Sequence, residues 1–380
     1  MVIQLRILLV TRRYPPAPGG VETQVMETAN RLGRRGHRVF VYCSDLYRDV
    51  PPQHFTRQDR ERLDGVEVIR YRAVSIPWRE KKGTSVTPAM LCALIRMNQV
   101  DLAHCQGLNL VTAAASLMIR LRQTKVICTT HLDPILLSNA FLAKVLASFD
   151  GLVALTETER RRMLSLGLDE SKIRLIPNGI DMSRFNDMPR PEVFRRKFAI
   201  ATPLITYAGR IAADKGCDVL VEAVARAKSQ IGECTLLFAG ADWGYRSFLQ
   251  RLSRRKGVRA IFTGNLQLED LKAAFVASDV FVLPSLREAF GLSVLEAMLC
   301  GVPVVASFVG GVPSIVRDED TGLLVRPSDP WGLAEAICRI VTDRELSTRL
   351  VANAKKMAAK YSIESTVTQL EKYYEDILRG

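Results

Sequence analysis

The chain has 380 residues, of which 48% are hydrophobic and 24% charged, with a formal net charge of +13. That length suits two domains of ordinary size, and the mix excludes a disordered or collagen-like chain. No stretch reaches 18 uninterrupted apolar residues, so no simple transmembrane helix is expected. The eight cysteines are scattered without a C-x-x-C pair, and the four histidines form no H-E-x-x-H. This pattern argues against a disulfide frame or a zinc site and for a reducing, cytoplasmic setting. The start runs almost directly into an apolar strand and lacks a leader cleavage signature.

The basic excess is uneven. Residues 1–190 carry 28 Lys/Arg against 18 Asp/Glu, and the remainder carries 25 against 22. A basic N-terminal half suits an anionic acceptor, an anionic membrane surface or nucleic acid.

In chain order, residues 5–10 read as a buried parallel strand. TRRYPPAPGG follows at 11–20, where three prolines forbid helix and Gly19-Gly20 permit a close backbone approach. A helix over 21–35 and a strand over 38–43 complete a unit with a glycine loop at a helix start, a possible anion site. G-x-G-x-x-G is absent, so a dinucleotide fingerprint is not supported, although Asp45 follows the second strand. Strands are predicted at 66–72, 102–104, 125–130 and 152–155, with helices near 87–98, 109–121, 135–147 and 156–165. That alternation implies a parallel sheet covered on both faces. Residues 45–65 and 73–86 read as loops, with Trp78 amid Arg79, Lys81 and Lys82. His131 directly follows a predicted strand, where open α/β sheets place ligands. His104 reads as structural or site-lining.

A strand at 172–176 leads into Pro177-Asn178-Gly179-Ile180-Asp181, a strong turn signal. A linker is placed at 186–201, after a first domain of 1–185. The second domain, 202–361, opens with a strand at 203–208, then Gly209-Arg210 and Lys215-Gly216 before a helix to about 228. A planar arginine fork and a mobile lysine at this spacing can converge on one phosphate. Strands at 234–239 and 260–262 end at Gly240 and at Gly264-Asn265, and a helix is predicted over 267–277. A strand at 279–283 precedes Glu288-Ala289-Phe290-Gly291-Leu292, and Glu296 lies eight residues after Glu288. A helix starting near Gly291 aims free amides at the loop that carries Glu288. Asp318-Glu319-Asp320 reads as a solvated turn, and helices near 330–341, 343–359 and 362–378 finish the chain.

These strings resemble the retaining GT-B glycosyltransferases of family 4 (group 1 glycosyl transferases). The resemblance rests on P-P-x-x-G-G-V-E at the start, Thr-x-His, I-P-N-G-I-D, G-R-x4-K-G and the E-x7-E of 288–296. It implies two Rossmann-like parallel-sheet domains facing across a cleft, with the last helix, 362–380, crossing back onto the first. It further implies transfer of a hexose from a UDP- or GDP-sugar to an acceptor hydroxyl, with retention and with no metal or cofactor. Arg210 and Lys215 would be the diphosphate clamp, with amides near Gly291 and Leu292. Glu288 would hold the donor sugar and Glu296 the ribose, and Gly240 and Asn265 would line the base pocket. Gly19 and Gly20 would face the donor phosphate, and His131 would support the reacting centre. Ala289 stands where the commonest family form has glycine.

A lipid-linked or phosphoinositol acceptor, in glycolipid or cell-surface glycan synthesis, suits the basic first domain, as does peripheral membrane contact. A soluble sugar acceptor stays open. The alternatives are another GT-B enzyme, such as a nucleotide-sugar epimerase, hydrolase or phosphorylase, and a basic nucleic-acid binder. The last leaves Arg210, Lys215, Glu288 and Glu296 unexplained.

Overall fold

The computed structural model describes residues 4–49, 52–54, 60–76, 84–86, 100–107, 112, 119, 123–131 and 140–380. The chain forms two compact units: Met1–Gly179 with Ile363–Gly380, and Ile180–Ser362.

In the first unit the strands are β1 (Arg6–Thr11), β2 (Arg38–Ser44), β3 (Leu46–Asp49), β4 (Pro52–His54), β5 (Arg60–Leu63) and β6 (Val66–Tyr71). They continue with β7 (Val74–Ile76), β8 (Thr84–Val86), β9 (Leu102–Gln106), β10 (Lys125–Thr129), β11 (Gly151–Ala154) and β12 (Ile173–Leu175). The main sheet has the order β12-β11-β10-β9-β1-β2-β6-β5, parallel except at β5. The run RILLVT is apolar almost throughout because β1 is buried on both faces. Ile7 and Leu9 point into one core with Val25 and Leu32 of the helix Gly20–Arg34. Leu8 and Val10 point into the other, with Phe149 and Leu152.

The final helix, Ile363–Arg379, belongs to this first unit. It buries Ile363, Val367, Leu370 and Tyr374 along one face. Arg31 and Arg35 of the first helix pair with Glu364, and Arg35 also pairs with Glu371.

The expected loops at 45–65 and 73–86 need correction, because β3 and β4 form an antiparallel pair, β5 edges the main sheet, and β7 pairs with β8. Their polar residues masked the alternation that would have shown strands. Trp78, Arg79, Lys81, Lys82 and the helix expected at 87–98 lie outside the described residues, as does nearly all of 109–121. Of the helix expected at 135–147, Ala140–Ala147 is described. Arg70, which carries no motif signal, is buried and anchors the proline loop. Its guanidinium donates to the Pro15 carbonyl (2.6 Å) and to Glu61 (2.6 and 2.9 Å).

In the second unit, β13 (Leu204–Ala208), β14 (Thr235–Ala239), β15 (Arg259–Gly264), β16 (Val280–Leu283), β17 (Val304–Ser307) and β18 (Leu323–Val325) form one sheet. Its order is β15-β14-β13-β16-β17-β18, all parallel. The chain order therefore reverses between β13 and β16, which is where doubly wound sheets open a ligand crevice.

Residues 186–201 carry the helix Pro191–Lys197, whose Phe194 packs with Ile200, Leu204 and Leu237 in this unit's core. A helix at Arg246–Arg255 was not foreseen, since only Leu249, Leu252 and Ser253 face inward amid basic residues. At the 318–320 turn, Asp318 accepts from the Leu324 amide, Glu319 pairs with Arg339, and Asp320 accepts from Asn353. Among the described residues, no helix is long and apolar enough to cross a membrane.

Candidate active site

The candidate residues divide between the units. Gly19, Gly20 and His131 lie in the first; Arg210, Lys215, Gly240, Asn265, Glu288–Leu292 and Glu296 lie in the second. In the second unit Arg210 and Lys215 follow β13 and Glu288 follows β16, the two strands at the order reversal, while Gly240 and Asn265 follow β14 and β15 and Glu296 lies in the helix Leu292–Leu299.

After β13 the backbone turns at Gly209 and continues through a short 3-10 turn, Ala213–Lys215. It reverses at Gly216 (φ 61°) into the helix Cys217–Ile231. A side chain on Gly216 would fall on the Pro284 carbonyl, so glycine lets the two loops touch. The Leu286 amide donates to the Asp214 carbonyl (3.0 Å), locking the post-β13 loop to the post-β16 loop. That lock brings Lys215 to Glu288: Nζ lies 2.7 Å from Oε2 and 3.2 Å from the Arg287 carbonyl. Both side chains are largely buried, at 12% and 17% exposure. Ser285 Oγ donates to the same carboxylate oxygen at 3.4 Å.

Arg210 does not join that pair. Its guanidinium stacks 4.7 Å above the Trp243 ring and lies 3.6 Å from Asp214. Tyr207 Oη donates to the Arg210 carbonyl (2.6 Å), fixing the backbone beneath it. Trp243 and Ser285 had no sequence signal, because each acts through a contact made only by folding.

Gly291 (φ 97°) precedes the helix Leu292–Leu299, and no side chain caps its first amides. Free amides at a positive helix end are a setting that favours anions, and this one follows the loop that carries Glu288. Phe290, expected in the donor site, has its side chain in the core, edge-on to Tyr361 at 5.7 Å. Glu296 sits within the helix and is only partly open to solvent. Burial pushes its carboxyl up to about 7, opposed by the positive charge of Arg184. Gly240 donates its amide to the Gly264 carbonyl (2.8 Å), joining the loops after β14 and β15, and Asn265 is exposed next to that junction.

Gly310 has φ 52°, and a side chain there would fall on the Glu288 carbonyl, which also accepts from the Gly311 amide (3.2 Å). Gly310→Ala is therefore expected to push the Glu288 loop outward. A melting curve should show a loss of roughly 5 °C, from ~1–3 kcal/mol of backbone strain in a unit of this size. Steady-state turnover should fall about tenfold, in line with the cost of small displacements of positioning groups.

In the first unit, Glu22 at the start of the helix Gly20–Arg34 pairs with Arg13 at 2.6 Å. A side chain on Gly19 would meet that Glu22 carboxylate. His131 follows β10 with φ 48°, and its Nε2 lies 3.2 Å from Gln106 Oε1. Burial lowers its imidazole to about 4. His104 is wholly buried and lowered to about 3, first by burial and then by His131. Its nitrogens lie 2.7 Å from Tyr374 Oη and 2.7 Å from Thr129 Oγ1. Both rings are neutral near pH 7.

A family model described as Glycosyltransferase Family 4 matches residues 18–184, and one described as Glycosyl transferases group 1 matches residues 192–357. The chain is 31% identical to a D-inositol 3-phosphate glycosyltransferase of Geodermatophilus obscurus, over 94% of this chain and 84% of that protein. It is 26% identical to a GDP-mannose-dependent alpha-(1-6)-phosphatidylinositol monomannoside mannosyltransferase of Mycobacterium tuberculosis, over 99% of this chain and 98% of that one. Among solved structures, Anabaena HepE in complex with UDP and glucose matches with a TM-score of 0.78 at 20% identity, covering 97% of this chain and 99% of that one. That last likeness speaks for the fold. Motifs, sheet order and whole-length relatives agree, and the chain belongs to the group 1 glycosyl transferases of glycosyltransferase family 4, with the GT-B fold.

Proposed function

We propose that this glycosyltransferase moves a hexosyl group from a UDP- or GDP-sugar to an acceptor hydroxyl with retention, without metal or cofactor. The observation that carries this reading is the Lys215–Glu288 pair, held between the loop after β13 that also carries Arg210 and the loop after β16 that leads to the uncapped helix amides, where the strand order reverses. A nucleoside diphosphate would draw Lys215 onto its phosphates and release Glu288 to accept from donor sugar hydroxyls. Arg210, Lys215 and the Leu292 helix start then stabilise the charge growing on the leaving diphosphate. The bond from the anomeric carbon to phosphate oxygen breaks, the acceptor oxygen bonds to that carbon on the same face, and its proton passes to the departing phosphate. Glu296 accepts from the ribose hydroxyls. His131 and the Gly19-Gly20 loop are assigned to the transferred sugar and the donor phosphate.

The donor class is supported by the UDP named for Anabaena HepE and the GDP-mannose named for the mycobacterial relative. The inositol phosphate and phosphatidylinositol in the relatives' names, together with the basic first half, favour a phosphoinositol or lipid-linked acceptor. Work at the cytoplasmic membrane face in glycolipid or cell-surface glycan synthesis, with no nucleic-acid partner, completes the reading.

A thermal-shift panel of UDP-, GDP- and ADP-sugars tests it. One base class should raise the melting temperature, by several degrees at about a hundred times Kd, and indifference to all three would overturn the donor assignment. With that donor, turnover should survive EDTA unchanged, and loss restored by Mg²⁺ or Mn²⁺ would remove the metal-free step.

A further inference from the structure

We propose that Gln106 is a positioning residue that fixes the tautomer of His131, presenting its Nδ1 as a hydrogen-bond acceptor to a substrate hydroxyl. The bearing on catalysis rests on the reading of His131 given above; the tautomer itself does not.

Gln106 is the last residue of β9, paired in register with Thr129 of β10, two residues before His131. It is buried, and its carboxamide lies between two imidazoles. The amide nitrogen is 3.2 and 3.3 Å from the two ring nitrogens of His104, and the amide oxygen is 3.2 Å from His131 Nε2. A carboxamide has one donor end and one acceptor end. Its partners decide which way it faces, because the two ends look alike to the backbone.

His104 is neutral, so one ring nitrogen is an acceptor. Hydroxyls of Tyr374 and Thr129 hold that ring in place at 2.7 Å each. In the structure the amide nitrogen of Gln106 faces the His104 ring and the amide oxygen faces His131 Nε2. A neutral His131 facing an acceptor at Nε2 must carry its proton there. Nδ1 is then the acceptor nitrogen, and a substrate hydroxyl can donate to it. The left-handed backbone at His131 (φ 48°), a conformation in which histidine is enriched among non-glycine residues, aims the ring and costs some strain. Tyr374 comes from the final helix, so that helix supports the same chain of contacts, from Tyr374 through His104 and Gln106 to His131.

The test uses full-length protein labelled with ¹⁵N at its four histidines. Long-range ¹H–¹⁵N spectra distinguish the two neutral tautomers, and His131→Asn identifies the His131 signals. The expected result is an Nε2–H tautomer at His131 in the wild type. In Gln106→Met, which keeps length but removes the acceptor, the tautomers should mix, and kcat should fall about tenfold with donor KM within twofold. Gln106→Glu, which restores an acceptor, should return the Nε2–H form. An Nδ1–H tautomer in the wild type, or one unchanged in Gln106→Met, overturns the proposal. A changed tautomer with unchanged kcat overturns its catalytic part. If Gln106→Met does not fold, the wild-type spectrum alone decides the tautomer. Absence of transfer from any nucleotide sugar would sink the functional reading while leaving the tautomer result standing.

Discussion

Replacing Arg210 with alanine is expected to lower kcat/KM about a thousandfold, the upper range for loss of one preorganised donor at a developing negative charge. Arg210 enters the site already aimed: its guanidinium lies on Trp243, and its own carbonyl is held by Tyr207 Oη. A cation held this way loses little entropy when phosphate arrives. Lysine could supply charge but not the planar fork or the stack, so Arg210→Lys should recover only a small part of the loss. The fold should survive, because Arg210 is half-exposed and its ion pair to Asp214 is long (3.6 Å). The measurement is kcat/KM with the donor found by thermal shift, beside a melting curve. Turnover within threefold of wild type would remove Arg210 from the diphosphate clamp.

The buried parallel strands could be read from sequence because they are written as short apolar runs. RILLVT and LITYA are bounded by turn residues, and their placement follows from burial on both faces. Arg210, Lys215 and Glu288 stood out as candidates through the G-R-x4-K-G and E-x7-E strings, and both strings follow a strand end, where such folds collect ligands. What stayed hidden were the partners. Trp243 lies 33 residues beyond Arg210, and Arg184 lies 112 before Glu296. Neither has a local spacing to betray it, because strand order makes the contact. Gln106 and Arg70 were hidden for a second reason. A polar residue on a strand reads as solvent-facing until neighbouring strands and loops are shown to close over it. The helix Arg246–Arg255 escaped because so short an apolar face amid arginines carries little periodic signal.

Glu296→Gln should stabilise the empty enzyme at high pH and weaken nucleotide binding, two opposite effects from one carboxylate. Burial raises Glu296 in the folded chain to about 7, against an ordinary 4.5. Between these values the folded state holds a proton that the unfolded state has released. Stability therefore falls as pH rises through that window, and the loss is complete above pH 7. The shift corresponds to at most ~3 kcal/mol. Partial access to water reduces it to ~1–2 kcal/mol. Glutamine cannot ionise and avoids that loss. The variant should melt with wild type near pH 4.5 and about 4 °C higher at pH 8. The proposed ribose contact, by contrast, uses the ionised carboxylate as acceptor. Hydrogen bonds to a charged group contribute ~1.5–3 kcal/mol each, so affinity for UDP or GDP should fall about ten- to a hundredfold. A deoxyribose analogue separates the two effects. Wild type should lose affinity for the 2′-deoxy nucleotide, while Glu296→Gln should bind the two nucleotides nearly alike. Equal melting shifts at both pH values would place the burial cost elsewhere. Unchanged nucleotide affinity would contradict the ribose contact and leave Glu296 as a core carboxylate of the helix.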